Sequence, residues 1–183
     1  MTDIDCNDDM RVYHAQRVTL STSDRSAMRA RRNTGRTRLT NGLERDGHPA
    51  PYDLATQGSY AMHTMHRDEE EDYDIDDGAY FRDDDLRNSD NQPLTPEEAR
   101  RRVARALSDQ RFNRTARVKR NCVRQDYAEG FHIDVPVYRT IEIGTASNPA
   151  QRHELASVAE WSESDARNMT RWYSNRRTAY REA

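Results

Sequence analysis

The acidic residues best placed to do chemistry lie in two short segments, 73–81 and 131–139, which both have the aromatic and β-branched content of strands. Asp74 and Asp76 lie in the first segment, and Asp134 lies in the second. Alternate residues of a strand share a face, so Asp74 and Asp76 point the same way. If the two strands are neighbours, we expect all three carboxylates to converge on one patch.

Carboxylates held this close repel one another strongly, and divalent cations with oxygen ligands are the usual resolution. Two such ions about 3.5–4 Å apart activate a hydroxyl nucleophile and stabilise the leaving oxygen of an in-line phosphoryl displacement. The aspartates therefore predict a two-cation site suited to phosphoryl or nucleotidyl transfer.

A candidate phosphate-binding turn precedes the acidic pair. Gly58 allows the backbone to approach a phosphate closely, and Ser59 adds a hydroxyl donor. The short helix predicted to follow offers free N–H groups at its positive end. The order along the chain is a phosphate cradle, a pair of aspartates and a third aspartate on a later strand, which together describe a nucleotidyl-transfer site.

Each feature taken alone has an ordinary structural explanation. An Asp-x-Asp pair inside the acidic run 68–77 is typical of a solvated loop, a Gly-Ser pair is typical of a turn, and Asp134 would also suit a half-exposed strand. Asp77 shares the register of Ile75, so we interpret it as a structural or capping residue. The joint occurrence of the features in the right order favours the site over these alternatives.

The other polar clusters predict no chemistry. Asp83–Asp85 suits a solvated turn, and Cys6 and Cys122 match no zinc or disulfide framework. Several histidines lack metal-like spacing, and we expect ordinary packing or surface roles for them: His63, His66, His132 and His153.

The predicted elements are mixed in type, which favours an α+β fold. A cluster of possible N-cap residues at 21–24 predicts a helix over 23–44, and the Thr95–Glu98 capping box is a strong start signal for another helix. Two adjacent strands, 117–127 and 131–139, are expected to be antiparallel neighbours. Weaker patterns predict a short helix after 57–59, a short strand at 139–143, and helices at 151–160 and 164–173.

Composition excludes some classes of protein and predicts a lean core. Of the 183 residues, 34% are hydrophobic and 33% charged, against typical values of about 45–50% and about 25%. A core this small leads us to expect help from a ligand, a metal, a partner or further chain. No apolar run approaches the ~20 residues of a membrane span, and residues 1–10 are not typical of a signal peptide, so we expect a cytoplasmic protein with reduced thiols.

Three motifs carry a resemblance to a known family. The segments 57–62, 73–81 and 131–138 resemble the bacterial cGAS/DncV-like nucleotidyltransferases of the polymerase-β superfamily. Weaker matches at 121–124 and 154–165 extend the resemblance from about Val18 to Tyr173.

The resemblance implies an α+β nucleotidyltransferase core, with a mixed sheet flanked by helices, that uses two Mg²⁺ ions and ATP or GTP. Such enzymes make cyclic di- or oligonucleotide second messengers in antiphage defence. By motif, Gln57, Gly58 and Ser59 would bind the nucleotide. The same comparison implies that Asp74 and Asp76 hold both ions, that Asp134 completes one ion site, and that a ribose hydroxyl is the nucleophile.

The chain departs from the family pattern at its C-terminal end. Family members continue into a helical half that closes the nucleotide cleft, whereas this chain stops at Ala183. Three outcomes therefore remain open for the chain alone: it is unstable, it is inactive, or it depends on a protein partner that supplies that half. We divide the chain into a tail, 1–17, and a nucleotidyltransferase core, 18–183. Ala166 also stands where the family often has proline, and Pro136 predicts that its strand lies at an edge or ends there.

Two other functions remain open from the sequence. A minimal nucleotidyltransferase could modify a protein or RNA, as in toxin–antitoxin pairs. Alternatively, a non-catalytic remnant could bind nucleotides or nucleic acid through the arginine-rich helix, Arg25 to Arg38. We rank binding of nucleic acid last, because intact metal-ligand motifs would be out of place in a pure binding module.

Overall fold

A computed structural model of the chain describes residues 5–65, 73–108, 115–128 and 131–182. Helices and strands in these ranges form one mixed sheet flanked by helices, with six strands in succession between the last two helices, so the predicted α+β class is confirmed. The acidic stretch 68–72, His66 and the turn residues 129–130 lie outside the described residues.

Five helices occur in the described ranges: α1 (Asn7–Tyr13), α2 (Thr22–Arg45), α3 (Gly58–Met62), α4 (Pro96–Leu107) and α5 (Ala166–Glu182). The predicted helix at 23–44 is α2, which begins where the Ser21 side chain accepts a hydrogen bond from the Asp24 N–H. The capping box of Thr95 and Glu98 starts α4 as expected. The N-terminal residues, which the sequence analysis assigns to a tail, form α1 and a π-helical turn, although α1 buries no side chain.

Eight strands occur in the same ranges: β1 (Asp53–Gln57), β2 (Tyr73–Arg82), β3 (Arg117–Val118), β4 (Val123–Tyr127), β5 (Phe131–Val135), β6 (Val137–Glu142), β7 (Gln151–Ala156) and β8 (Trp161–Glu163). The segment predicted as one strand over 117–127 is divided, because a turn closed by the Lys119 N–H and the Cys122 carbonyl separates β3 from β4.

The sheet is organised around β2. β5 precedes Pro136 and β6 follows it, and both strands pair in parallel with β2 in the same register. β1 pairs antiparallel with β2 on its opposite side. β4 pairs antiparallel with β5, as predicted, and β7 pairs antiparallel with β6. Of the two outcomes predicted for Pro136, the strand ends there, and β5 itself lies inside the sheet.

The predicted helix at 151–160 is wrong, because this segment forms β7 and the turn that leads to β8. The sequence of β7 suits a helix locally, but its residues 151–155 complete the ladder along β6 and bury His153 and Glu154. Pairing with a neighbour that is distant in sequence overrides local helix propensity here. The last helix, predicted at 164–173, is longer and begins at Ala166, where the Asp165 side chain accepts from the Asn168 N–H.

One face of the sheet is covered by α2 and α4. Ile75 and Ile133 point to this side, and they pack with Leu39 of α2 and Leu107 of α4 in the hydrophobic core. The opposite face carries Asp74, Asp76 and Asp134, so the alternation read from the sequence separates core from candidate site. None of the helices among the described residues combines the length and apolar character needed to cross a membrane.

The close crossing of α2 and α4 depends on Gly42, because a Cβ at this position would overlap the backbone of Ala106. We expect Gly42→Ala to lower the free energy of unfolding by about 1–3 kcal/mol, since the two helices must move apart. The exposed neighbour Asn41→Ala is the matched control and should be neutral or slightly stabilising, because alanine favours helix. Urea denaturation of both variants measures the difference, and equal stability would contradict the packing argument.

Candidate active site

The core of the site is a row of four polar residues that crosses four neighbouring strands. Gln57 of β1 lies opposite Asp76 of β2, Asp76 lies opposite Asp134 of β5, and Asp134 lies opposite Arg124 of β4. Residues directly opposite each other in a sheet point to the same face. Gln57, which directly precedes the candidate phosphate-binding turn, is therefore adjacent to two of the predicted metal ligands.

A second row lies beside the first, one pleat away. Asp74 of β2 is opposite His132 of β5, and His132 is opposite Asp126 of β4. Ligand atoms of Asp74, His132 and Asp134 all lie within 4.8 Å of one another. The structure thus brings the three predicted aspartates to one patch and adds a histidine that the sequence assigned to ordinary packing.

The electrostatics of the patch centre on Asp76. Burial, followed by the nearby charges of Asp74 and Asp134, raises the pKa of Asp76 from 3.8 to about 7, and the Arg124 guanidinium lowers it only in part. Without a cation, the Asp76 carboxyl therefore holds a proton in much of the protein at neutral pH. A divalent cation would favour the ionised form and release that proton.

Asp134 is held by Arg124 in a two-pronged ion pair. The Arg124 Nε donates to Asp134 Oδ1 at 2.8 Å, and a terminal nitrogen donates to Oδ2 at 2.7 Å. The Cys122 thiol lies nearby, and burial together with the Asp134 carboxylate raises its pKa to about 12. Cys122 therefore stays protonated at neutral pH, and Arg124 is the cation that balances the patch in this structure.

The turn after β1 brings backbone against the acidic patch. Gly58 has φ +68°, in the left-handed region, and a Cβ there would overlap the Asp76 carboxylate. Ser59 is half-buried in the first turn of α3, which is the short helix predicted from the sequence. Gly58 is thus required both by backbone conformation and by the space that the Asp76 side chain occupies.

Gln57 is buried and held by two tyrosines. Its Nε2 donates to the Tyr138 hydroxyl at 2.9 Å, and the Tyr80 hydroxyl donates to its Oε1 at 3.2 Å. The two rings stack with centroids 4.4 Å apart. A Cβ at Gly78 would lie 3.0 Å from both rings, which is a tight contact, so a side chain there would press against the two tyrosines. The hydrogen bonds with the two tyrosines therefore fix the position of Gln57, the residue directly before the turn at Gly58.

The far side of the tyrosine pair is covered by Arg167 of α5. Its guanidinium lies 4.1 Å from the Tyr80 ring centroid and donates to Asp53 at 2.6 Å. It also contacts the His153 Nε2 at 2.5 Å, and burial and this neighbouring charge both lower the pKa of His153. The neutral imidazole accepts from Arg167, so α5 is joined to the support of Gln57 through charged and aromatic contacts.

Asp77 faces away from the patch, as its register with Ile75 predicts. It is 3% exposed and accepts from the Arg36 guanidinium of α2 at 2.7 Å and from the Thr56 hydroxyl at 3.0 Å. Asp77 therefore joins α2 to the sheet. At the other end of β2, Asp84 is exposed and paired with Arg87, in accord with a solvated turn.

Sequence reasoning placed His132 on the same strand face as Asp134 but gave it no role at the site, and it missed Arg124 and Cys122 as neighbours of the acidic patch. The signal available for His132 was its alternation with Ile133, which places it on the same strand face as Asp134. Arg124 and Cys122 had no comparable signal, because their proximity depends on the register of β4 against β5. The three carboxylates suit divalent cations, because their oxygens converge and Arg124 offsets the repulsion between them only in part.

A mixed sheet whose neighbouring strands present an aspartate pair and a third aspartate, beside a glycine turn, defines the nucleotidyltransferase fold class. Residues 53–138 match the family described as the nucleotidyltransferase domain of cyclic GMP-AMP synthase DncV-like proteins. The resemblance inferred from the motifs is therefore confirmed: the chain has the fold of the cGAS/DncV-like nucleotidyltransferases.

Solved structures share this fold at low sequence identity. CdnG of Bradyrhizobium diazoefficiens, solved with GTP, aligns with a TM-score of 0.66 and 18% identity over 87% of this chain and 43% of its own. An Escherichia coli CdnC solved with ATP aligns with a TM-score of 0.65 and 17% identity, over 94% of this chain and 52% of its own. The Vibrio cholerae DncV cyclic AMP-GMP synthase aligns with a TM-score of 0.59 and 17% identity, over 87% of this chain and 57% of its own. The chain thus spans about half the length of these relatives.

Proposed function

We propose that the chain is the catalytic core of a nucleotidyltransferase that joins ATP or GTP into a cyclic di- or oligonucleotide second messenger, with Mg²⁺ as the family's usual cation. The observation that carries the proposal is the convergence of Asp74, Asp76 and Asp134 beside the Gly58 turn. The fold shared with DncV and its relatives supports it.

The proposed roles follow from chemistry and position. Asp74 and Asp76 would hold two cations, and Asp134 would complete one of the two sites once its pair with Arg124 is shared or opened. When bound, the cations lower the pKa of a ribose hydroxyl and neutralise charge that develops on the transferring phosphorus. The Gly58–Ser59 backbone and the Ser59 hydroxyl would hold the triphosphate, and buried Gln57 would position that turn.

The wider setting is also part of the proposal. We propose a cytoplasmic reaction, where ATP and GTP are available, and a role in antiphage signalling. The core would begin at residue 18, after the 1–17 tail, and would bind a protein partner. The half-exposed to exposed face of α5, with Met169 and Trp172, is one surface such a partner would meet.

The arginine-rich helix supports binding of nucleic acid less well than its composition indicates. Arg36 pairs with buried Asp77, and Arg32 donates to the Thr56 hydroxyl at 2.8 Å, so two of its cations join α2 to the sheet. Modification of a protein or RNA uses the same site and is separated from cyclisation by the product.

The proposal predicts a small labelled product that depends on the aspartates. We expect the protein, incubated with Mg²⁺ and ATP and GTP labelled at the α-phosphate, to form a phosphatase-resistant product that chromatography resolves. Asp74→Asn should remove the product, because one ligand to both cations is lost, whereas the exposed control Asp90→Asn should retain it. Label on a macromolecule would instead indicate the protein- or RNA-modifying function. Product that survives in Asp74→Asn, or no labelled product of either kind, would contradict the site.

A further inference from the structure

His132 is a buried histidine at the acidic patch with an unsatisfied ring nitrogen. Its residue is 7% exposed, and its Nε2 is buried with no hydrogen-bond partner among the described residues. A buried polar atom without a partner costs about 1–3 kcal/mol, and such atoms in native structures call for an explanation. A bound cation would provide one, because neutral imidazole is a common metal ligand.

We propose that His132, Asp74 and Asp134 form a mixed nitrogen and oxygen site that binds a first-row transition cation, such as Mn²⁺ or Co²⁺, more tightly than it binds Mg²⁺. The proposal concerns the identity of the cation and one of its ligands. It shares two carboxylates with the proposed nucleotidyl-transfer site, but it requires no nucleotide.

The geometry of the three residues is close to that of a shared ion. Asp74 and His132 are direct cross-strand partners, Asp134 is two residues beyond His132 on the same strand face, and one ligand atom from each lies within 4.8 Å of the others. Ligands about 2.1 Å from one ion are at most about 4.2 Å apart. Side-chain movements of less than about 1 Å therefore bring the three ligand atoms to distances at which they can bind one ion.

The donor set selects the class of cation. Mg²⁺ prefers oxygen ligands and near-ideal octahedral geometry, whereas imidazole nitrogen suits the borderline ions of the first transition row. Two carboxylates and one histidine on adjacent strands match the second group.

Arg124 weakens binding of the cation, and its replacement therefore offers a second test of the site. Its guanidinium occupies both oxygens of Asp134, although each carboxylate has about four lone-pair directions in total. The guanidinium and the cation therefore repel each other and compete for Asp134. Replacing Arg124 with methionine keeps the apolar stem and removes this competition, so the variant should bind the cation more tightly than the wild type.

Pulsed electron paramagnetic resonance of the full chain with Mn²⁺, without nucleotide, tests the proposal directly. We expect a ¹⁴N coupling from a directly bound imidazole in the wild type. In His132→Gln we expect this coupling to disappear and Mn²⁺ binding to weaken by about 10-fold or more, with little change for Mg²⁺. His48→Gln, a histidine outside the patch, is the control and should keep both properties.

The wild-type spectrum decides the outcome even if His132→Gln fails to fold. Bound Mn²⁺ without nitrogen coupling, or equal affinity for Mn²⁺ and Mg²⁺, would overturn the assignment of His132. Arg124→Met that binds Mn²⁺ more weakly than the wild type would overturn the role of Asp134 in it. None of these results depends on turnover, so the product assay tests nucleotidyl transfer separately.

Discussion

Asp76→Asn should abolish nucleotidyl transfer and, at the same time, make the cation-free protein more stable above pH 7. The loss of activity is expected to be about 1,000-fold or more, because a carboxylate shared by two cations supplies several kcal/mol of charge stabilisation in the transition state. The gain in stability arises because asparagine removes a charge that burial and the neighbouring Asp74 and Asp134 disfavour.

The sign of the pH dependence follows from the raised pKa of Asp76. Between pH 3.8 and about 7, the folded state keeps a proton on Asp76 that the unfolded state has released. Stability falls with rising pH wherever the folded state binds more protons. The contribution of Asp76 to the free energy of unfolding is therefore highest below pH 3.8, falls from there to about pH 7 and stays low above it.

The measurement compares thermal unfolding of wild type and Asp76→Asn between pH 4 and 8 in the presence of a chelator. The difference between the two should grow with pH in favour of the variant, and an added divalent cation should reverse it by stabilising only the wild type. The exposed Asp90→Asn serves as the control and should follow the wild type. An asparagine variant that is less stable at every pH would show that Asp76 is not strained by its neighbours.

Gly58→Ala should reduce activity on the order of 100-fold while leaving the protein folded. A side chain at position 58 requires the left-handed φ of +68° and also overlaps the Asp76 carboxylate, so the turn and the proposed cation ligand must move apart. Displacement of a reacting group by about 1 Å is sufficient for a loss of this size.

Gly47→Ala is a matched control for this prediction. Gly47 has nearly the same conformation, φ +72°, but a Cβ there meets nothing within 4 Å. Both variants should lose about 1–2 kcal/mol of stability from backbone strain, whereas only Gly58→Ala should lose activity and cation affinity. Steady-state kinetics and cation titration measure the difference. Equal activity of the two variants would show that the contact between Gly58 and Asp76 has no functional importance.

The parts of the fold that the sequence predicts correctly are those with local causes. The caps of α2 and α4 depend on side chains within three residues of each helix start, so the cap candidates at 21–24 and Thr95 mark these starts in the sequence, and the structure shows that Ser21 is the cap of α2. The face shared by Asp74 and Asp76, and the opposite face of Asp77, follow from strand alternation alone. The helix predicted at 151–160 is wrong because helix propensity depends on local sequence, whereas the structure of this segment depends on the pairing of β7 with another strand, β6.

The sequence alone determined which residue types face the same side of each strand, since side-chain direction is set by the period of the backbone. It also determined the resemblance to the cGAS/DncV-like nucleotidyltransferases, since each of the three motifs is a continuous segment of the sequence. Only the tertiary structure decided that Arg124 holds Asp134, that His132 lies at the acidic patch, and that Gly58 leaves space for Asp76. Each of these depends on the register between strands that are remote in sequence, and a change of register by one residue would turn every one of these side chains to the other face.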